Sequence, residues 1–432
     1  MKLYSTKNLT TFVSLKEAVF KGLPADNGLY MPDTIPQLEA NFINNLKNHS
    51  FQSIAFTVAQ TLLRGVIPDK DLKKIIEKSI DFPAPVVKLD DTTHILELFH
   101  GPSLAFKDFG ARFMAQLMSY FNKRNKRELV ILVATSGDTG GAVAAGFYKA
   151  LGIKVVILYP SGKVSMLQEK QLTTLGENIT ALEVQGTFDD CQALVKKAFL
   201  DKELTKKIRL SSANSINIAR LIPQSFYYFE AFKQVDSQGK PLVFSIPSGN
   251  FGNLTAGLFA QKMGLPISKF IAATNVNDVV PQYLASGTYT PTPSVPTLSN
   301  AMDVGNPSNF ARMLDLYGST WNNMRENIIG YAYNDDVTKA AMREVKAKYN
   351  YIIDPHGAVG YLALKEYQKT NDVVGIILET AHPAKFLDDV ESILEQKIEI
   401  PERLASLADK KKEARLSPTE FGDFKNWLLA NY

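Results

Sequence analysis

Apolar runs of strand length alternate with helical segments from residue 129 onward, and this alternation limits the possible folds more than any other feature. ELVILVA precedes the helical AVAAGFYKALG, and KVVILYP precedes SMLQEKQLTTLG. The order recurs in ITALEVQG with FDDCQALVKKAFLD and in PLVFSIP with LTAGLFAQKMG, and KFIAATN and DVVGIILE are further apolar runs. Strands and helices that alternate in this way form parallel sheets with right-handed crossovers. We therefore predict an α/β protein.

The first eighty or so residues have a different pattern. Their periodic segments are SLKEAVFKG, NFINNLKN, FQSIAFTVAQTLLRG and DKDLKKIIEKSI, all typical of helices. DFPAPVVKL, with two prolines, indicates the exit from this region. We expect a helical N-terminal domain that packs on the α/β core and frames the entrance of a cleft.

Composition and charge exclude several classes of function. The net charge of +4 is spread along 432 residues, and the densest basic cluster, DKKKEAR, is interrupted by acids, so we expect no nucleic-acid partner. No run approaches eighteen apolar residues and the N-terminus lacks a signal-peptide pattern, so we expect a cytoplasmic protein with no membrane partner. The single cysteine, Cys191, excludes an intrachain disulfide, and the five histidines form no close pair at metal-ligand spacing. We predict no metal site.

A lysine in an apolar setting is the first chemical signal. In HGPSLAFKDFG, Lys107 follows Phe106 and precedes Phe109, and the apolar spacing predicts a helix that Ser103 caps. Burial and the positive end of a helix both disfavour an ammonium group and lower its pKa. A neutral amine can form a Schiff base. The alternative is a surface lysine that packs its stem on phenylalanine rings and pairs with Asp108.

Two glycine-rich turns join a strand to a helix. In PSGNFGN, Gly249 and Gly252 allow a tight turn whose backbone N–H groups point to one place, which suits a phosphate. The turn has neither the lysine of a P-loop nor the spacing of a dinucleotide fingerprint. In TSGDTG, Ser136, Thr139 and the backbone amides suit a carboxylate. For both segments, a structural turn is the alternative, in the second case with Asp138 as a helix cap.

A hydroxyl group at a strand end completes the set. Thr380 follows the run VVGIILE directly, where open parallel sheets place their ligands. Its hydroxyl can donate to a neutral heteroaromatic nitrogen, although a turn threonine is the simpler interpretation. Pyridoxal 5′-phosphate needs all of these features together: a desolvated lysine, a phosphate cradle, a carboxylate cradle and such a hydroxyl.

Several longer segments resemble one enzyme family. They are HGPSLAFKDFG, SANSINIAR, PSGNFGN, TLSNAMDVGNPSN, DPHGAVGY, TAHPAKF and GLPADNGLYMP. Over nearly its whole length the chain is similar to the threonine synthases, in their bacterial and fungal branch. The resemblance implies a fold-type-II pyridoxal-phosphate enzyme, similar to the β subunit of tryptophan synthase, with two parallel-sheet α/β domains and a helical N-terminal domain. It implies boundaries at 1–85 for the N-terminal domain, 111–204 for a small domain, and 86–110 with 205–432 for a large cofactor-binding domain.

The resemblance also implies an activity and a set of site residues. The activity is conversion of O-phospho-L-homoserine and water into L-threonine and phosphate, the last step of threonine biosynthesis. Lys107 would carry the cofactor covalently and Thr380 would meet its pyridine nitrogen. The residues expected to hold the cofactor phosphate are Gly249, Asn250, Phe251, Gly252 and Asn253. The residues expected at the substrate are Ser136, Asp138, Thr139, Lys163, Asn214 and Arg220. Lys385 would be either a further phosphate contact or an exposed helix residue.

Two other functions stay open on the sequence. One keeps the cofactor but releases a keto acid, as in a phospho-lyase or a serine/threonine dehydratase. The other is a nucleotide-binding module without covalent chemistry, which would explain the glycine turns but not Lys107. The sequence allows a monomer or a homodimer.

Overall fold

The strands belong to three sheets. A computed structural model describes residues 1–123, 125, 127–135 and 137–432. The strands of the described residues, in chain order, are β1 (Lys2–Ser5), β2 (Asn8–Ser14), β3 (Tyr30–Pro32), β4 (Val86–Lys88), β5 (Thr93–Glu97), β6 (Leu129–Ala134), β7 (Ile153–Pro160), β8 (Ile179–Val184), β9 (Arg209–Ser212), β10 (Leu242–Pro247), β11 (Lys269–Thr274), β12 (Ile328–Ala332), β13 (Val374–Glu379) and β14 (Arg415–Ser417).

Helices cover the faces of these sheets. In the described part of the chain they are α1 (Leu15–Lys21), α2 (Ala40–Asn44), α3 (Phe51–Leu63), α4 (Asp69–Ser79), α5 (Lys107–Asn122), α6 (Asp138–Phe147), α7 (Met166–Thr173), α8 (Phe188–Leu200), α9 (Lys202–Lys207), α10 (Ile218–Leu221), α11 (Phe226–Gln234), α12 (Gly252–Lys262), α13 (Val279–Ser286), α14 (Phe310–Leu316), α15 (Trp321–Asn327), α16 (Asp335–Tyr349), α17 (Pro355–Gln368), α18 (Leu387–Leu394), α19 (Glu402–Ala405) and α20 (Phe421–Asn431). Short 3₁₀ turns lie at Leu46–Asn48, Ile222–Ser225, Asn300–Met302 and Pro383–Phe386.

The larger sheet has the order β12-β11-β10-β13-β5-β4. Its pairs are parallel except at the edge, where β4 runs antiparallel to β5. The central strands β10 and β13 are buried along their whole length, as expected for a sheet that helices cover on both faces. This confirms the α/β prediction and the strands predicted in PLVFSIP, KFIAATN and DVVGIILE.

The smaller sheet has the order β14-β8-β7-β6-β9, with every pair parallel. The apolar runs ELVILVA, KVVILYP and ITALEVQG form β6, β7 and β8, as predicted. Strands β9 and β14 belong to this sheet although they lie outside residues 111–204, the range expected for the small domain. Helix α20 also returns to this sheet, because its Phe424 and Leu428 pack in one core cluster with Leu132 and Val156.

The N-terminal region combines helices α1 to α4 with a small antiparallel sheet of order β2-β1-β3, which the sequence patterns did not reveal. It is fixed to the core by hydrogen bonds from Leu38 N to Met263 O at 2.9 Å and from Tyr4 Oη to an Asp315 carboxylate oxygen at 2.6 Å. The N-terminal region therefore packs on the α/β core, as expected. No helix in the described ranges is both long and apolar enough to cross a membrane.

Helix α5 begins later than predicted. Ser103 is not its cap, because its Oγ has no hydrogen-bond partner in the described structure and the next residue, Leu104, has a left-handed φ of 56°. The Ser103 N–H instead donates to the Asp108 carboxylate at 2.8 Å. The chain therefore turns at 101–106, and Lys107 is the first residue of the helix. Asp108 binds this turn and does not pair with the lysine.

Candidate active site

Three loops meet at one edge of the larger sheet. Strands β10, β13 and β5 are adjacent and parallel, so their carboxyl ends lie side by side. The loop after β10 carries residues 248–253, Thr380 follows β13, and the segment after β5 leads to Lys107. The third segment is held against the second by the bridge between Ala105 and Ala381 and by a 2.8 Å bond from Phe106 N to Thr380 O. The topology thus brings together the lysine, the glycine turn and the threonine that the sequence singled out.

Lys107 lies in an environment that favours a neutral amine. Its ammonium nitrogen is 5.7 Å from the centre of the Phe106 ring, and burial lowers the pKa of Lys107 to about 8, from 10.5. Nearby Asp138 acts against this fall, whereas the cations of Lys385 and Arg220 add to it. At pH 7.5 about a quarter of the amine would be neutral, against roughly one part in a thousand for an unperturbed lysine. The direction of this shift is the one expected from the sequence.

Asp138 forms a buried ion pair that the sequence did not indicate. Lys385 Nζ lies 2.7 Å from Asp138 Oδ1, and Gln168 Nε2 donates to the same oxygen at 3.0 Å. The Lys385 ammonium also donates to Ser103 O at 2.7 Å. Although burial opposes its ionisation, the ammonium groups of Lys385 and Lys107 hold the pKa of Asp138 well below its usual range. Lys385 is therefore not an exposed helix residue, and Asp138 does not cap α6, whose cap position is Gly137.

The turn after β10 has free backbone donors. Among the described residues, the N–H groups of residues 249–253 donate to no protein acceptor. The side chain of Asn253 braces the turn, donating to Pro247 O at 2.8 Å and accepting from Ser248 Oγ at 3.0 Å. Phe251 has a left-handed φ of 58° at the start of α12, which directs the following amides along the helix axis. Free amides at the N-terminus of an eleven-residue helix form an anion site.

Gly249 is required by a close approach. A Cβ atom there would lie 2.7 Å from Ala301 O and 2.9 Å from Met302 Cα. These residues belong to the segment that carries TLSNAMDVGNPSN, so the absence of a side chain lets this segment close over the turn.

The Thr380 hydroxyl has no protein partner within the described residues, and the residue lines the cleft although it is only 6% exposed. A buried hydroxyl without an internal acceptor is suited to a ligand atom. Its position at the carboxyl end of β13 is the one expected from the sequence.

The loops border one cleft with a volume of about 2060 Å³. Thr139, Lys163, Asn214 and Arg220 all line it, as do the residues of the glycine turn. Lys163 is exposed at its rim. Ser136, the other expected carboxylate ligand, lies outside the described residues.

Arg220 is buried, unlike Lys163 at the rim of the cleft. It is 2% exposed, its Nη1 donates to Ala213 O at 2.6 Å, and its Nε has no partner in the structure. Burial lowers the pKa of Arg220 to about 10, with Asp108 opposing the fall. A Cβ on Gly110 would lie 2.7 Å from Arg220 Nε, so this glycine lets the guanidinium pass beside α5.

His356 is a cleft residue that the sequence reasoning left without a role. Its Nδ1 lies 2.8 Å from Asp354 Oδ1, and its Nε2 accepts from Ala301 N at 3.2 Å. Through the bond to Ala301 N, the ring holds the segment above the glycine turn. The quoted segment DPHGAVGY contains both residues, but no local pattern shows the distant partner Ala301.

The N-terminal domain also contributes to the cleft. Lys7, Lys21 and Asn27 line it together with the core residues. Two of the three are cations at the mouth of the cleft, which favours an anionic ligand.

Comparisons with known proteins identify the family. Residues 82–379 match the family model of pyridoxal-phosphate-dependent enzymes, 2–80 match the threonine synthase N terminus, and 357–426 match the threonine synthase C-terminal model. The threonine synthase of Serratia marcescens is 46% identical over 431 residues, which is 99% of each chain. The chain belongs to the threonine synthase family.

Solved structures of threonine synthases have the same fold. The Escherichia coli enzyme matches with a TM-score of 0.93 at 43% identity, over 100% of each chain. The pyridoxal-phosphate-bound enzyme of Brucella melitensis matches with a TM-score of 0.93 at 34% identity, over 99% of this chain and 98% of that one. The expected fold type II and the expected cofactor are confirmed.

The residues present fit pyridoxal phosphate. The cleft offers a lysine amine of lowered pKa for the aldehyde, a set of free amides for the phosphate and an unpartnered hydroxyl for the ring nitrogen. In the described residues, no group of three or more histidine, cysteine, aspartate and glutamate side chains is arranged to hold a metal ion.

Proposed function

We propose that this threonine synthase family member converts O-phospho-L-homoserine and water into L-threonine and phosphate in the cytoplasm. The observation that carries the proposal is the low pKa of Lys107 at the sheet edge that also holds the free amide cradle and Thr380. The names of the full-length relatives support the product.

Lys107 is assigned two tasks. It would hold the cofactor covalently through the cofactor's aldehyde, and its amine would move protons at the substrate Cα. A pKa of about 8 suits both tasks, because the group loses and regains a proton near neutral pH. Bound pyridoxal phosphate supplies the conjugated ring that stabilises negative charge on the substrate carbons while phosphate leaves Cγ and water adds at Cβ.

Thr380 would orient the cofactor ring by donating to its nitrogen. A hydroxyl donor, unlike a carboxylate, would leave the pyridine nitrogen unprotonated and moderate the electron demand of the ring. This favours elimination and replacement over side reactions such as transamination. The cofactor phosphate would be held by the free backbone N–H groups of Gly249, Asn250, Phe251, Gly252 and Asn253.

The substrate would bind in the cleft, which is lined by residues that follow strands of both α/β sheets. Thr139 lines the cleft at the end where the substrate carboxylate would bind. Asp138 and Ser136, the latter outside the described residues, are proposed for the same end from the sequence. Lys163, Asn214 and Arg220 mark the end at which its phosphate binds, with Arg220 able to offer two donors to one phosphate. The buried pair of Asp138 and Lys385 keeps the carboxylate end from carrying a net negative charge.

A product assay tests the proposal. Holoenzyme is incubated with O-phospho-L-homoserine, and phosphate, threonine and 2-oxo acid are measured together. We expect threonine and phosphate in equal amounts. Phosphate accompanied by a 2-oxo acid would assign a phospho-lyase instead, and 2-oxo acid from serine or threonine would assign a dehydratase.

A further inference from the structure

A buried arginine and asparagine, at the end of TLSNAMDVGNPSN and just after it, lie beside the amide cradle and have been given no role so far. Asn309 and Arg312 are both 0% exposed and stand around the start of α14, in the segment that follows VGNPS. Asn309 N donates to Asn250 O at 3.3 Å, which ties its backbone to the glycine turn.

The orientation of the Asn309 amide is fixed. Arg312 Nη1 donates to Asn309 Oδ1 at 2.7 Å, so the oxygen must face the guanidinium and the amino group must face away. The amino group, Nδ2, has no partner in the described structure although it is buried. It lies 3.5 Å from where a Cβ on Gly252 would be. A buried donor is thus directed at the residue that begins the cradle.

Arg312 carries a buried charge without a carboxylate partner. Its other donors go to main-chain oxygens, with Nη2 donating to Ile216 O at 2.7 Å and both Nε and Nη2 donating to Tyr30 O at 3.2 and 3.1 Å. Burial lowers the pKa of Arg312 to about 9, and no acid of the described residues offsets it. A buried cation without a counter-charge is costly, and a nearby dianion would offset that cost.

We propose that Asn309 is a ligand of the cofactor phosphate, donating through Nδ2, and that Arg312 is the positioning residue that orients this amide and supplies the facing positive charge. The proposal rests on the assignment of the cofactor phosphate to the turn at 249–253. Because Arg312 also binds Tyr30 O, the N-terminal domain is connected to the cofactor site through one guanidinium.

Asn309→Asp is the discriminating variant. The side chain keeps its size and can form an ion pair with Arg312, so the fold is retained, but an anionic oxygen replaces the amide donor that faces the phosphate. We expect the apoenzyme to lose affinity for pyridoxal phosphate by about tenfold or more. Affinity for pyridoxal, which lacks the phosphate, should change less than about twofold. Asn322→Asp, an exposed substitution on α15, is the matched charge control, and both affinities should stay as in the wild type.

The measurement is equilibrium binding of the two aldehydes to apoenzyme, with the melting temperature of each apoenzyme as a check on folding. Equal losses for both aldehydes, or no loss, would overturn the proposal, as would a raised KM for the phosphorylated substrate with cofactor affinity intact. Gly252→Ala tests the turn itself, because the methyl group would enter the cradle without meeting a protein atom closer than 3.5 Å. If Gly252→Ala leaves the preference for pyridoxal phosphate over pyridoxal unchanged, the assignment of the turn fails, and the role of Asn309 fails with it.

Discussion

Lys385→Met should raise the pKa of Lys107. In the wild type, burial lowers this pKa to about 8, which corresponds to roughly 3 kcal/mol against the charged form. Lys385 contributes to the fall by repulsion, and it also occupies Asp138 at 2.7 Å. Without it, one repelling cation is lost and the carboxylate of Asp138 is free to stabilise the Lys107 ammonium.

The expected rise is about one pKa unit, because one unit corresponds to about 1.4 kcal/mol, which is roughly the interaction of two unit charges about 10 Å apart at an effective dielectric constant of about 20. The neutral fraction of Lys107 at pH 7.5 would fall from about a quarter to about 3%. The assay is an NMR titration of apoenzyme whose lysines carry ¹³C-methyl groups, with the Lys107 signal assigned by its loss in Lys107→Ala.

The double variant Asp138→Asn, Lys385→Met is the control. It removes both charges of the buried pair, avoids an uncompensated carboxylate and leaves the burial of Lys107 in place. Its Lys107 pKa should stay at or below about 8. An unchanged pKa in Lys385→Met, or an equal rise in the double variant, would refute the reasoning that burial sets this pKa and the ion pair protects it.

Three further predictions concern single side chains. Thr380→Val should leave the melting temperature within about 2 °C of the wild type, because the hydroxyl has no protein partner in the described structure, but should lower kcat by about tenfold or more and change the absorbance of the bound cofactor. Lys163→Gln should raise the KM for O-phospho-L-homoserine by about fivefold, whereas Lys202→Gln, exposed on α9, should leave it unchanged; equal effects would remove Lys163 from the phosphate site. Burial lowers the pKa of His382 to about 4, from 6.5, so the unfolded chain binds more protons between these values and stability falls as the pH decreases through them. His382→Asn can still accept from Ala384 N and should flatten this part of the denaturation profile, and an unchanged slope would contradict the assignment.

Strands that are buried along their whole length were the elements best predicted from the sequence. Runs such as ELVILVA and VVGIILE predicted strands because sheets covered on both faces need apolar side chains at every position. Thr380 and the turn at 249–253 were then located by the rule that parallel strands present their carboxyl ends at one edge. Strands β9 and β14 escaped prediction because they are short edge strands without an apolar run.

Side-chain partners across the chain were beyond sequence reasoning. Lys385 is 247 residues from Asp138, and no spacing rule connects them. Ser103 resembled a helix cap, but its Oγ has no partner in the described structure, its N–H binds the Asp108 carboxylate, and the helix starts at Lys107. The N-terminal strands β1 to β3 were missed because short strands carry weak periodicity against the stronger signal of the helices nearby. The domain boundaries at 85, 110 and 204 remain predictions.

The attachment of the cofactor to Lys107 is the claim on which the account depends most. Holoenzyme is reduced with borohydride, digested, and mapped by mass spectrometry. We expect a single modified peptide that contains HGPSLAFKDFG, with the added pyridoxyl group on Lys107. A pyridoxyl group on Lys385, Lys163 or any other lysine, with Lys107 unmodified, would contradict it.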